Sequence, residues 1–349
     1  MAAIAFEHPF LSGLLGDAET AAFFTAEADI AAMLQFEAAL ARAEAANDVI
    51  PETAAQAISA ACAVFSADFS ALYTATARDG VVVPELVRQL RATAGEVARH
   101  VHVGATSQDV IDTSLMLRLK PVAFLFTTRL AAIELRIGEL QQAFGDRPLM
   151  GRTRMQAAIP ITVADRLRAW RAPFDGYRET LTRLRFPLQF GGAAGTLEKL
   201  GDKAAAVRSS LAQELGLVDI QQWQSQRTII AEFAGLLAMV SGTLGKFGQD
   251  VALMAQAGDE IALTGGGGSS AIAHKQNPVA AETLVALARF NATQVSAIHH
   301  SMVHEQERSG ASWTLEWLVL PQMAIATGAA LRLSHELANK IERLGMADT

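Results

Sequence analysis

The sequence predicts an all-α protein: a small helical N-terminal domain over residues 1–105, then a bundle of long helices over residues 106–349. Three observations point there. Apolar residues recur at steps of three and four over long stretches, which lines them along one helix face. Alanine, leucine, glutamate and arginine are abundant while tyrosine occurs only 2 times, a balance that favours helix over sheet. The longest strand-like run is Val81-Val82-Val83, and Pro84 cuts it short.

In the first hundred residues the helical segments are short, over 21–47, 51–63, 69–79 and 84–99. Longer patterns follow. The first runs through Leu115, Leu119, Val122, Phe126, Leu130, Ile133, Ile137, Leu140 and Phe144. A second runs through Val163, Leu167, Trp170, Phe174, Tyr177, Leu181 and Leu184, and a third through Ile229, Phe233, Leu236, Val240, Leu244, Phe247, Val251 and Met254. A fourth, less regular, covers 279–298, and a fifth covers 313–337. Such helices are ~30–45 Å long at a rise of ~1.5 Å per residue, which suits a bundle. Pro121 and Pro173 lie inside these patterns, and each is expected to kink its helix or mark a first turn.

Composition excludes several classes. A formal net charge of -7 argues against a protein that grips nucleic acid through its phosphates. The single cysteine, Cys62, allows no internal disulfide and fits a reducing, cytoplasmic setting. Its alanine-rich surroundings read as buried filler. Residues 1–16 lack the basic start of a signal peptide, and no uninterrupted apolar run reaches the ~20 residues of a membrane span. With 51% hydrophobic residues, the surplus apolar surface is expected in a large core or an oligomer interface.

Three polar clusters interrupt the helical text, each at the end of a long helix, where rigid scaffolds carry functional loops. The first is His102-Val103-Gly104-Ala105-Thr106-Ser107-Gln108-Asp109 with Asp112-Thr113. Its Thr-Ser pair is also ordinary helix-capping chemistry, but capping does not account for the whole string. The second is Gly151-Arg152-Thr153-Arg154-Met155-Gln156-Ala157-Ala158-Ile159-Pro160. The third is Gly265-Gly266-Gly267-Gly268-Ser269-Ser270-Ala271-Ile272-Ala273-His274-Lys275-Gln276-Asn277-Pro278. Four consecutive glycines suit neither a helix nor a strand. A linker would not run directly into two serines, a lysine and Asn-Pro, so a mobile loop presenting a reactive group fits better. The lysine does not follow glycine, so a phosphate-binding P-loop is a poor match.

Together the clusters resemble the fumarase/aspartase superfamily. Its signature Gly-Ser-Ser-x-Met-Pro-x-Lys-x-Asn-Pro keeps Gly268, Ser269, Ser270, Lys275, Asn277 and Pro278 here, departing at Ile272 and Ala273. The first cluster is similar to the His-x-Gly-x-Thr-Ser-x-Asp-x-x-Asp-Thr motif. The cluster from Gly151 to Pro160 is similar to Gly-Arg/Lys-Thr-His-x-Gln-x-Ala-x-Pro, with Arg154 where the histidine stands. The resemblance implies Ser269, Lys275 and Glu282 as catalytic residues. His102, Thr106, Ser107, Gln108, Arg152, Arg154, Gln156, Asn277 and Arg308 would then bind substrate. It implies neither metal nor cofactor, and His299, His300 and His304 lack a metal-ligand pattern. It further implies a homotetramer whose active sites take residues from several chains, and a third, C-terminal domain largely absent.

The missing histidine narrows the chemistry. The superfamily usually removes a proton alpha to a carboxylate and expels an amine or hydroxide, which needs a proton from an acid. An arginine does not titrate near neutrality. The 3-carboxymuconate cycloisomerases of the superfamily avoid the difficulty, because the group added or expelled is a carboxylate, with a pKa near ~4. The resemblance to that branch implies a tricarboxylate substrate and no partner among nucleic acids or membranes. The rival readings are a lyase of the same superfamily, such as adenylosuccinate lyase, and a non-catalytic relative like the lens crystallins. Some residues keep two readings. Arg308 either faces substrate or pairs with a nearby glutamate. Arg154 either faces substrate or pairs with Glu282. His102 either faces substrate or is a hydrogen-bonded structural residue. Trp313, Glu316 and Trp317 read as core or interface.

Overall fold

A computed structural model describes residues 4–268 and 277–346. Two four-residue turns, α1 (Ser12–Leu15) and α2 (Ala18–Ala21), lead into α3 (Ala26–Ala46), α4 (Glu52–Ala63), α5 (Phe69–Asp79) and α6 (Val83–Ala94). The long α7 (Ser107–Phe144) follows, then a hairpin of β1 (Pro148–Thr153) and β2 (Gln156–Thr162). Next come α8 (Val163–Arg171), α9 (Phe174–Arg183) and α10 (Ala204–Leu215). The chain closes with α11 (Thr228–Ala257), β3 (Ile261–Leu263), α12 (Val279–Ser301), α13 (Gly310–Asn339) and β4 (Ile341–Leu344).

Helices α7, α11, α12 and α13 form the bundle. Arg227 at the start of α11 meets Asp112 near the start of α7 and Glu316 near the start of α13. Further along, Arg129 and Arg136 of α7 reach the carbonyls of Gly328 and Ala338, so α7 and α13 run in parallel. Helix α12 runs the opposite way. At its middle, Asn291 Nδ2 donates to Ser241 Oγ at 3.0 Å and Thr327 Oγ1 at 2.9 Å, which pins α11, α12 and α13 in register. A Cβ on Gly245 would lie 2.5 Å from Ala288 Cβ, so only glycine allows this approach of α11 and α12. Phe126, Phe233, Leu284 and Met323 fill the space between the helices and are fully buried. By length and composition α11 and α13 could each cross a membrane, but 50% and 67% of their most apolar windows are buried within the chain, as in core helices.

Two expectations need correction. The run from Val163 to Leu184 is two helices, because Pro173 sits immediately before α9 and cannot donate to the turn before it. Pro121, in contrast, lies inside a continuous α7. Strands also occur where none was expected: the second polar cluster forms the antiparallel β1–β2 hairpin, and β3 pairs with β4. Val83 meanwhile begins α6. In addition, α10 packs on α3 far away in sequence, tied by Arg42–Glu214 at 2.9 Å and by Asn47 Nδ2 to Ser210 Oγ at 3.0 Å.

Helix α3 carries an unusual buried acid. Glu44 is fully buried, and neither carboxyl oxygen has a hydrogen-bond partner among the described residues. Burial, helped by the charge of Glu37, pushes its pKa up to about 9. The folded chain therefore keeps a proton that the unfolded chain releases above 4.5, and stability falls as pH rises through that window. Glu44→Gln, which cannot ionise, is expected to be about 1–3 kcal/mol more stable than wild type at pH 8, with the gap closing toward pH 5. Thermal melts at the two pH values check this; a gap of equal size at both would reject it.

Candidate active site

The first cluster sits at the start of α7. Thr106 is the N-cap, and Asp109, three residues into the turn, accepts its backbone N–H at 3.0 Å. Ser107 and Gln108 open the helix, so this helix start, with the hydroxyls of Thr106 and Ser107, suits an anion. Asp109 does more than cap: it also accepts from Gln189 Nε2 at 3.0 Å and from the N–H groups of Gly191 and Gly192 at 2.8 and 2.9 Å. The loop over 189–193 is thereby fastened to the helix start. Burial lifts the Asp109 pKa to about 6 despite these four donors.

His102 precedes the helix with a left-handed backbone, φ 65°. Its Nδ1 lies 2.6 Å from Glu37 Oε1 on α3. Burial opposes the imidazolium, but the Glu37 carboxylate outweighs it and holds the His102 pKa above its usual value. With Nδ1 committed to Glu37, Nε2 is the ring atom left to act outward. The structural contact and the substrate-facing reading are therefore compatible.

Behind this end lies a buried ionic cluster. Arg227, 1% exposed, contacts Asp112 at 2.6 and 3.0 Å and Glu316 at 2.6 and 2.9 Å. Its ring neighbour Trp223 lies 4.6 Å beneath the guanidinium, and Trp313 Nε1 donates to Asp112 Oδ1 at 3.0 Å. Burial disfavours the Arg227 charge, yet the two carboxylates more than restore it and raise its pKa. Burial likewise works against the Glu316 charge, but Arg227 and the nearby His304 hold its pKa below the ordinary value. Glu316 and Trp313 are thus core, as the helical spacing suggested. Arg308 is exposed and pairs with no glutamate in its loop; it donates from Nε to Gln108 Oε1 at 2.8 Å and from Nη2 to the Ala193 carbonyl at 3.3 Å. Gln108 is fully buried.

The second and third clusters occupy the other end of the bundle. Thr153 pairs with Gln156 across the hairpin, leaving Arg154 and Met155 as the two tip residues. Both have positive φ, 47° and 66°, the geometry of a tight hairpin turn. Arg154 and Gln156 are exposed there, while Arg152 donates to the buried Glu260 at 3.0 Å. Asn277 and Gly267 exchange backbone hydrogen bonds of 3.0 and 2.9 Å at the base of the glycine-rich loop. A Cβ on Gly267 would lie 2.4 Å from Val279 Cγ2. Glu282 is exposed in the first turn of α12. Ser269 and Lys275 lie outside the described residues.

The geometry therefore gathers His102, Thr106, Ser107, Gln108 and Arg308 at one end of the bundle, and leaves Arg152, Arg154, Gln156, Asn277 and Glu282 toward the other. Helix α7, with 38 residues, sets the ends apart by ~57 Å. Glu37, Ala193, Arg227 and His304 also shape the first end. Their roles were invisible in the sequence because each lies outside the motif strings and arrives through tertiary packing. Cys62 is half-buried and its thiol is pushed up to about 12, chiefly by burial.

Residues 15–296 match the model of a protein family described as lyase. The chain belongs to this family, the fumarase/aspartase lyases. It is 40% identical over 333 residues to the 3-carboxy-cis,cis-muconate cycloisomerase of Pseudomonas aeruginosa, covering 92% of this chain and 72% of that protein. Identity to the enzyme of the same name from Pseudomonas putida is 39%, over 89% of this chain and 76% of the relative. Among solved structures, the 3-carboxy-cis,cis-muconate lactonizing enzyme from Pseudomonas putida superposes with a TM-score of 0.89 at 35% identity, over 96% of this chain and 77% of that one.

Proposed function

We propose that this chain lactonises 3-carboxy-cis,cis-muconate to 4-carboxymuconolactone, in the protocatechuate branch of aromatic degradation in the cytoplasm. The observation that carries the reading is Arg154 at the hairpin tip, where lyases of the family place a histidine acid. The relatives' names agree with it.

In the forward reaction one substrate carboxylate oxygen adds to the double bond and closes a five-membered ring. The displaced electron pair collects on the neighbouring acid as an aci-carboxylate. Ser269 then gives its hydroxyl proton to carbon and recovers one from solvent. A trianion becomes a dianion, so each turnover takes up one proton. Lys275, Asn277 and backbone N–H groups of the glycine-rich loop stabilise the developing charge, and Glu282 orients the site. Arg152, Arg154, His102 and Arg308 neutralise the remaining carboxylates, with the start of α7 contributing Thr106 and Ser107.

The active form is a homotetramer. Two observations support this: the halves of the site lie ~57 Å apart in one chain, and large apolar side chains stand exposed on the bundle and hairpin. Phe124, Leu135, Met239, Met155 and Ile159 are 75%, 68%, 53%, 71% and 66% exposed. Sedimentation is expected to give four chains, and an active monomer would contradict this.

The testing experiment follows the ultraviolet loss of the diene on adding 3-carboxy-cis,cis-muconate, with fumarate and adenylosuccinate in parallel. Rapid loss with the first substrate alone, and a lactone product, is expected. Turnover of either other substrate without it would assign the chain to the lyase branch instead.

A further inference from the structure

We infer that Gln108 is the positioning residue for Arg308: a buried amide that holds an exposed guanidinium in one orientation at the start of α7. The inference rests on reading Arg308 as a substrate-binding cation. Gln108 was expected to touch substrate itself, but it is fully buried and its amide is spent on protein groups. Its Nε2 donates to Asp112 Oδ2 at 3.1 Å and to the Gln224 carbonyl at 2.8 Å. Both partners can only accept, so the amide cannot turn end for end. Its Oε1 must face the other way, and there it accepts from Arg308 Nε at 2.8 Å.

Asp112 gives the amide a fixed reference. Two Arg227 nitrogens at 2.6 and 3.0 Å and Trp313 Nε1 at 3.0 Å hold its carboxylate. Glu316 grips Arg227 from the far side. Orientation thus passes from a buried ion cluster, through one amide, to a side chain at the surface.

A second contact sets the guanidinium plane, since Nη2 also donates to the Ala193 carbonyl at 3.3 Å. Neither contact engages Nη1. The backbone beneath is held as well: Gln224 Nε2 donates to the Glu307 carbonyl at 3.0 Å, and Ser309 caps α13 through the Ser312 N–H at 3.2 Å. An exposed arginine ordinarily samples many rotamers, and ordering it on substrate binding weakens affinity. Here Gln108 has done the ordering beforehand. Arginine is required for this, because its Nε can be gripped while Nη1 stays available for a carboxylate.

The test is a double-substitution cycle with a structural readout. Gln108→Met keeps the length of the side chain and removes its acceptor. It is expected to raise KM for the tricarboxylate about tenfold with kcat changed far less. In an Arg308→Met background the same substitution is expected to add less than about twofold, since its effect runs through Arg308. A full tenfold increase there would overturn the inference. If Gln108→Met does not fold, Gln108→Asn, one methylene shorter, reads the same cycle. Crystal structures of wild type and variant test the point without substrate: Arg308 is expected to leave its Ala193 contact in the variant while Asp112, Arg227 and Glu316 stay in place. An unmoved Arg308 would overturn the inference. A wild type inactive on the tricarboxylate, with Arg308 displaced in the variant crystal, would sink the functional reading and leave the positioning role standing.

Discussion

Arg227→Met is expected to destabilise the folded chain by about 3–5 kcal/mol, seen as a melting temperature lowered by roughly 4–7 °C or as failure to accumulate folded protein. The substitution itself keeps an apolar stem in place. The damage comes from what it strands: Asp112 and Glu316, both 1% exposed or less, would lose the cation that lies within 2.6 Å of each. Two buried carboxylates without that cation must then take up protons or draw in water, and the starts of α7, α11 and α13 separate. Arg183→Met offers the contrast. It breaks an exposed pair with Glu179 one turn away, and such pairs contribute little in high dielectric. Circular dichroism melts of both variants decide the matter; an Arg227→Met melt within about 2 °C of wild type would show that the cluster is not a stabilising hub.

Ser269→Ala is expected to lower turnover of the tricarboxylate at least about 10³-fold, with the helical circular dichroism and KM little changed. Alanine can neither hand a proton to the carbon beside the aci-carboxylate nor carry alkoxide character. The proton uptake that accompanies lactone formation should vanish in step with the diene signal, and the unchanged KM separates loss of chemistry from loss of binding. Near-wild-type turnover would remove Ser269 from the reaction and shift attention to the remaining groups of the glycine-rich loop.

How far the sequence carried this reading depended on whether the signal was periodic or spatial. The long helices were legible because their apolar stripes repeat along the chain: the run from Leu115 to Phe144 falls within α7, and that from Ile229 to Met254 within α11. The hairpin was not, since Arg154-Met155 is an unusual pair for a turn in which both residues take positive φ. The motif strings located most of the proposed site. They could not show that Gln108 turns inward, because its partners Gln224 and Arg308 lie 116 and 200 residues away. The exposed face of Arg308 was half legible: its charge stood out, but the contact that holds it arises only on folding.

The hairpin tip has a consequence for how such a protein changes over generations. Arg154 projects from a two-residue turn joined to the body through its own strands, and its side chain fills no core. An exchange at that position therefore leaves the helices and their packing undisturbed, so a lineage can change the residue there without first acquiring a compensating change elsewhere. The opposite end of the bundle is under the reverse constraint, because Gln108, Asp112, Arg227 and Glu316 interlock and a change in one strands the others. Divergence of reaction type is expected to concentrate at the tip, and inheritance of carboxylate recognition at the start of α7.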